Sequence, residues 1–229
     1  MPIARVLEPE VMDTPEEAAD YDAMDHAQVN ERFVVDLLAL VAEPALVLDL
    51  GTGTARIPLL LCARAKTTRV IAVELADHML RLAAKNVQDA GMSGRVTLLK
   101  DDAKAAREPG EPFAVVCSNS LLHHIEDPGA ALAAWWARVP PGGLLFVRDL
   151  VRPDTYQELE ALVARYSGTP PDGEGRQGWE RQVKLFRESL HAALQVDEVR
   201  ALVAPLGIPQ DGVSSTGDRH FTLAFRRPT

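Results

Sequence analysis

Cysteine is scarce in this chain. Its 229 residues hold two, Cys62 and Cys117, far apart and both inside apolar segments. That distribution suits neither a disulfide framework nor a thiolate metal site, and two reduced core thiols in a reducing cytoplasm are expected. Basic residues are also in deficit, with 24 Lys and Arg against 33 Asp and Glu and a formal charge of -9. A surface of that sign repels phosphate backbones and anionic membranes, which argues against nucleic acid as a partner. No stretch approaches the roughly 18 consecutive apolar residues that a membrane span needs. The start, MPIARVLEPEVMD, has no basic stretch leading into an apolar run, so a soluble, untargeted cytoplasmic protein is expected.

What the chain does have is a rhythm of short apolar runs. They fall at 45–50, 70–74, 96–99, 113–117 and 144–147, and each is apolar on both alternations, as in strands covered on both faces. Helical spacing separates them at about 54–66, 76–91 and 128–139, with Gly91 placed as a C-cap. Repeated strand–helix–strand units with right-handed crossovers predict an α/β fold with a doubly wound, mostly parallel sheet. Two late strands at 212–216 and 220–225, joined by Gly217-Asp218-Arg219, bring the expected sheet to seven strands with an antiparallel last strand.

The flanks differ from this middle. The first 43 residues are acidic, with an N-cap and proline signal at Thr14-Pro15 and a second helix expected at about 27–42. They read as a helical N-terminal cover on a main domain spanning 44–229. Inside that domain, 150–205 reads as a helical insert or lid. Helices at about 154–166 and 179–204 flank the Gly- and Pro-rich stretch 167–178, expected as a mobile loop. Of Trp135 and Trp136, one is expected in the core and the other half-exposed.

The most informative stretch is DLGTGTARIP at 49–58, where the first strand ends. In open α/β sheets ligands bind outside the carboxyl ends of the strands, and the first strand-to-helix turn is the usual cradle. Gly51 and Gly53 permit positive φ and close approach of a ligand, and Thr54 is placed to cap the following helix. The dinucleotide fingerprint G-x-G-x-x-G is incomplete, because its third glycine position falls on Arg56.

The spacing acid-x-Gly-x-Gly-x-Ala resembles the class I S-adenosylmethionine-dependent methyltransferase family over about residues 45–150. Four positions carry the likeness in order: Asp49 to Ala55, Glu74, Asp101-Asp102-Ala103, and Ser118-Asn119-Ser120-Leu121-Leu122-His123-His124-Ile125. The resemblance implies S-adenosylmethionine as cofactor and S-adenosylhomocysteine as product. It sets Asp49 near the cofactor's ammonium group, with Gly51, Thr52, Gly53, Thr54 and Arg56 along the methionine part. It sets Glu74 on the ribose hydroxyls, with Leu75 and Met79 beside them, and Asp101, Asp102 and Ala103 at the adenine, Asp102 being favoured. Ser118, Asn119 and Ser120 fall beside the methyl group, and Tyr21 matches an N-terminal lid residue. Ala55 replaces the family's last glycine.

Methyl transfer from a sulfonium is a direct displacement, and a general base helps when the nucleophile arrives protonated. His123 and His124 are the candidate bases, with His123 favoured to face the site, and Asp149, at the end of the fifth strand, is a candidate for binding a substrate amine or hydroxyl. No metal is expected, because Asn119 stands where a carboxylate partner for Asp149 would be needed. The expected acceptor is a small molecule, reacting at oxygen, nitrogen or carbon, and the expected assembly is a monomer or homodimer. Two other functions share parts of the pattern. A nicotinamide-dependent oxidoreductase shares the glycine turn and ribose acid, and a non-catalytic binder of S-adenosylmethionine or S-adenosylhomocysteine shares the fold.

Overall fold

The computed structural model describes residues 3–7, 14–24, 26–105, 112–173 and 175–229. The strands are β1 (Leu46–Leu50), β2 (Arg69–Glu74), β3 (Val96–Lys100), β4 (Val115–Asn119), β5 (Leu144–Leu150), β6 (Val213–Thr216) and β7 (His220–Arg226). They form one seven-stranded sheet in the order β3-β2-β1-β4-β5-β7-β6. The first five run parallel, and β7 is antiparallel to both β5 and β6. An antiparallel seventh strand wedged beside β5 departs from the all-parallel dinucleotide order, which weighs against the oxidoreductase alternative.

The helices are α1 (Pro15–Ala23), α2 (Ala27–Leu40), α3 (Arg56–Arg64), α4 (Asp77–Asp89), α5 (Pro128–Ala137), α6 (Tyr156–Tyr166), α7 (Gly175–Ala192) and α8 (Val196–Val203). Every residue of β1 is buried, because both faces carry helices. Val47 packs with Phe33, Val34, Leu37 and Leu61 on one side. Leu46, Leu48 and Leu50 pack with Leu132, Trp135 and Leu145 on the other. Two-residue alternation within a fully buried strand thus feeds two cores. Local signals set several helix starts. Asp127 accepts the Ala130 N–H and Pro128 opens α5, while Thr155 and Glu158 form a reciprocal capping box on α6.

Four expectations about the elements are corrected. The fourth strand lies two residues later than expected, so Asn119 closes it rather than following it. The single helix expected over 179–204 is broken into α7 and α8. At the break, Leu194 is buried and its carbonyl accepts the Arg152 N–H at 3.1 Å, pairing the chain with the end of β5. The stretch 167–178 is not irregular throughout: α7 begins at Gly175, and the Trp179 indole N–H donates to the Ser167 carbonyl, fastening the helix to the end of α6. Trp136 is buried rather than half-exposed, with the Arg227 guanidinium 4.8 Å from its ring centre.

Candidate functional site

The loop from β1 to α3 is pinned at its start, where the Gly51 and Thr52 N–H groups both donate to the Val73 carbonyl at 2.9 Å. Gly51 and Gly53 have φ of 70° and 56°. A Cβ on Gly51 would sit 2.6 Å from Leu121 Cδ2, so any side chain there would displace Leu121, and the positive φ itself favours glycine. Ala55 also takes the left-handed conformation, with φ of 64°, and serves as the N-cap of α3 with no side-chain cap. Thr54 therefore does not cap the helix. Its hydroxyl is buried with no hydrogen-bond partner among the described residues.

Three acids lie along the strand ends. Asp49 is 2 % exposed; one carboxylate oxygen accepts the Thr52 hydroxyl at 2.6 Å and the other faces the Cys117 thiol at 3.6 Å. Burial pushes its pKa up to about 6, against the lowering effect of those two hydrogen bonds. Among the described residues no cation pairs with it. Glu74 closes β2 with its carboxylate already fixed: Oε2 accepts the Gly53 N–H at 2.9 Å, and Oε1 accepts those of Leu75 and Ala76. Asp102 accepts the Lys104 N–H at 2.8 Å, whereas Asp101 turns back to the Asp102 N–H.

Two cavities open over these residues. A narrow cleft of about 100 Å³ runs over Gly53, Glu74, Leu75, Met79, Asp102 and Ala103 to Asn119, Ser120 and His124. A larger one of about 650 Å³ lies over Asp49, Thr52, Thr54 and Arg56, beneath Met24 and His26 of the cover. Both are lined by Tyr21, Gly51 and Asn119, so they meet over the glycine loop. Tyr21 lies across Gly53, with its ring 3.5 Å from where a Cβ would be. Burial and the nearby Glu74 push its phenol up to about 12, so it stays protonated.

Several candidate residues take other places than expected. Arg56 lines the larger cavity but spends its guanidinium on Asp22 of α1, at 2.8 to 3.1 Å, which holds the cover on the loop. The Ser118 hydroxyl donates to the Leu50 carbonyl at 2.8 Å and is fully buried, so it ties two strands and lines neither cavity. Asp101 also lines neither of the two. His123 is 3 % exposed and turned inward, its Nδ1 2.5 Å from Asp149 Oδ1, and it is His124 that lines the cleft. The expected preference for His123 is therefore reversed. Asp149 is 1 % exposed and is used up by the His123 ring, the His123 N–H and the Leu150 N–H. Burial would raise its carboxyl, but the His123 imidazole and the Leu150 N–H outweigh that and hold it below the usual range. It presents no free oxygen to a substrate. Arg148 and Arg152, neighbours in sequence, pair instead with Asp36 and Glu198.

Some residues had no motif to betray them. Asn86 of α4 donates to the Thr54 carbonyl at 3.0 Å and reaches Asp22 at 3.4 Å. Arg181 of α7 pairs with Asp20 of α1 at 2.8 Å. Leu121 backs Gly51, following Ser120, which has φ of 55°. Such a conformation in a non-glycine residue concentrates at binding sites.

The unsatisfied atoms give a test of the cofactor that the fold implies. Asn119 Oδ1 and Thr54 Oγ1 are buried without hydrogen-bond partners among the described residues, and both residues line the larger cavity beside Asp49. A raised carboxyl and two orphaned oxygens on residues that line one cavity fit a ligand carrying an ammonium group. Glu74 at the strand tip fits a ribose. S-adenosylmethionine has both.

Comparison with known proteins agrees with this chemistry. The sequence profile of a methyltransferase domain matches residues 47–143, which hold the tips of β1 to β4. Trans-aconitate 2-methyltransferase from Streptomyces avermitilis is 32 % identical over 52 % of this chain and 46 % of its own length. The chain thus spans about half of that relative. Malonyl-[acyl-carrier protein] O-methyltransferase from Geobacter sulfurreducens is 31 % identical over 83 % of this chain and 66 % of its own. An O-methyltransferase family protein from Burkholderia thailandensis shares the fold, with a TM-score of 0.68 over 93 % of this chain and 60 % of that one at 19 % identity. With the glycine loop, the strand-tip acids and the antiparallel seventh strand all in place, the chain carries a class I S-adenosylmethionine-dependent methyltransferase domain.

Proposed function

We propose that the protein transfers the methyl group of S-adenosylmethionine to an oxygen, nitrogen or carbon nucleophile of a small molecule by direct displacement. The observation that carries this reading is the junction of the two cavities over Gly51, where Asp49 is buried with no cation and Asn119 Oδ1 is buried with no hydrogen-bond donor among the described residues. In this reading Asp49 and Asn119 hold the cofactor's ammonium group and Glu74 its ribose hydroxyls. Asp102 and the Ala103 N–H meet the adenine, and Leu75 and Met79 supply apolar walls. Thr52 orients Asp49 through its hydroxyl. Gly51 and Gly53 keep the floor clear of side chains.

When bound, the cofactor supplies an electrophilic methyl group on a sulfonium. The protein's share is to align an acceptor with that methyl and to exclude water, and positioning of this kind supplies up to about 7–11 kcal/mol of a barrier. Tyr21 and the α1–α2 cover close over the glycine loop. A cavity of about 650 Å³ suits a small molecule alongside the cofactor's tail. His124, on the cleft wall, takes a proton from an acceptor that arrives protonated. His123 and Asp149 sit behind it, their task being to hold that wall. The His123 and His124 ring centres are 4.1 Å apart.

Parallel calorimetric titrations with S-adenosylmethionine, S-adenosylhomocysteine and NAD test the reading. Micromolar binding of the first two, about -8 kcal/mol, with none of NAD is the expected result. Binding of NAD alone, or of none of the three, overturns it. Binding without methyl transfer to any acceptor in a broad small-molecule screen would move the protein to the non-catalytic alternative.

A further inference from the structure

Residues 3–7 do not join the helical cover; they run outside regular secondary structure as a strap against the ends of β5 and α7. Ile3 is buried with Leu150, Leu159 and Val163, and its carbonyl accepts from Arg152 at 2.9 Å. The Val6 N–H donates to the His191 carbonyl at 3.1 Å. From the middle of this strap Arg5 reaches inward. Its Nε donates to the Ala192 carbonyl at 2.7 Å, and one terminal nitrogen donates to the carbonyls of His123 at 3.1 Å and Ile125 at 2.9 Å.

Those last two carbonyls bracket His124. The turn that carries it, Leu122–His124, is a single 3-10 turn, closed along its own backbone by the His124 N–H to Leu121 and the Ile125 N–H to Leu122. A turn so short has little rigidity of its own. Asp149 fixes it from below through His123, and Arg5 fixes it from the side. His124 and Ile125 both line the narrow cleft, so whatever holds these carbonyls also sets that wall.

The geometry points to Arg5 as a positioning residue: its guanidinium clamps the carbonyls on either side of His124, ties them to the end of α7, and so sets how the imidazole faces the cleft. This rests on the cleft being the S-adenosyl site. A planar guanidinium serves three carbonyls at once because its donors are set in a rigid fork, whereas a lysine ammonium at the end of a flexible stem does so poorly. The proposal gives the N-terminal strap, more than a hundred residues from the turn in sequence, a direct hold on the proposed reaction centre.

Histidine-selective ¹⁵N NMR of the full chain, with its six histidines, combined with S-adenosylhomocysteine titration, tests it. In Arg5→Ala the His123 and His124 resonances, assigned from His123→Gln and His124→Gln spectra, should shift or broaden while His78 stays put. Affinity for S-adenosylhomocysteine should fall about tenfold, and Arg5→Lys should recover part of both effects. Val163→Ala, in the same buried cluster as Ile3 but away from the turn, controls for lost stability and should lower the melting temperature without moving either readout. Unchanged His124 resonances and affinity in Arg5→Ala overturn the assignment. So does an equal response in Val163→Ala. Failure of the unmodified protein to bind S-adenosylhomocysteine would overturn the cofactor reading instead, and the histidine resonances would still report on Arg5.

Discussion

Asp49 and Asp149 occupy equivalent places in one sheet. Each is the penultimate residue of a parallel strand, β1 and β5, and they are 2 % and 1 % exposed. Their chemistry is opposite. Among the described residues Asp49 has a hydroxyl and a thiol for company, and burial drives its pKa up to about 6. Asp149 has the His123 ring and two backbone N–H groups, and it is held below the usual carboxylate range. Burial alone does not identify a functional acid; the useful sign is a buried acid whose partners are insufficient for its charge. One of these acids is completed by the fold, and the other is left without a cation among the described residues.

Removing the satisfied member should have the largest effect. Asp149→Ala leaves His123 buried without its partner and should cost about 3–5 kcal/mol in urea unfolding. Because the folded pKa of Asp149 is lowered, its contribution is present above the unfolded carboxylate pKa and is lost as pH falls through the folded value. The variant's stability should therefore change less on acidification than that of the unmodified protein. An equal acid dependence in the two proteins would break the comparison.

Asp49→Asn should act with the opposite sign. A raised folded pKa means that stability is fully present below the ordinary carboxylate value of 3.8 and is lost as pH rises through about 6. At pH 7 that loss is about 3 kcal/mol, and the amide should relieve much of it. The variant should be more stable than the unmodified protein in denaturant, yet bind S-adenosylmethionine far more weakly. In the unmodified protein, cofactor affinity should decline as pH drops below about 6. A destabilised Asp49→Asn that still binds would remove the acid from the site.

His124→Ala sharpens the comparison on the β5 side. It should leave cofactor affinity within a few-fold and slow transfer about a hundredfold once an acceptor is known. His123→Ala should instead lower stability by exposing Asp149 to the loss of its partner. The smallest effect belongs to Ala55→Gly. It relieves an L-residue held at φ of 64° and, after the added entropy of the unfolded chain, should gain about 0.5 kcal/mol by thermal denaturation.

The two sides of the sheet were not equally legible. At the tips of β1, β2 and β3, sequence reasoning located the acids and the glycine loop, because strand ends and positive-φ turns leave marks in short stretches of residues. Gly51, Gly53, Glu74 and Asp102 all border the cavities. After β4 it failed in orientation. Ser118 ties strands, and His123 and His124 exchange their expected directions. Neighbouring residues on a 3-10 turn point different ways, and Asp149 on β5 decides which of them goes inward. Arg56 carried a similar ambiguity, settled by Asp22 arriving from α1.

By itself the sequence determined the alternation of buried strands and amphipathic helices, the seven-stranded count, and the place of the glycine loop. These rest on local periodicity and backbone freedom, which a window of residues contains. Only the tertiary structure decided which buried acid was satisfied and which histidine reached the cleft. It also decided what the N-terminal arginine holds. Those depend on groups separated by tens to more than a hundred positions, and in a close-packed interior a side chain's role follows from the partners that packing brings within hydrogen-bond distance.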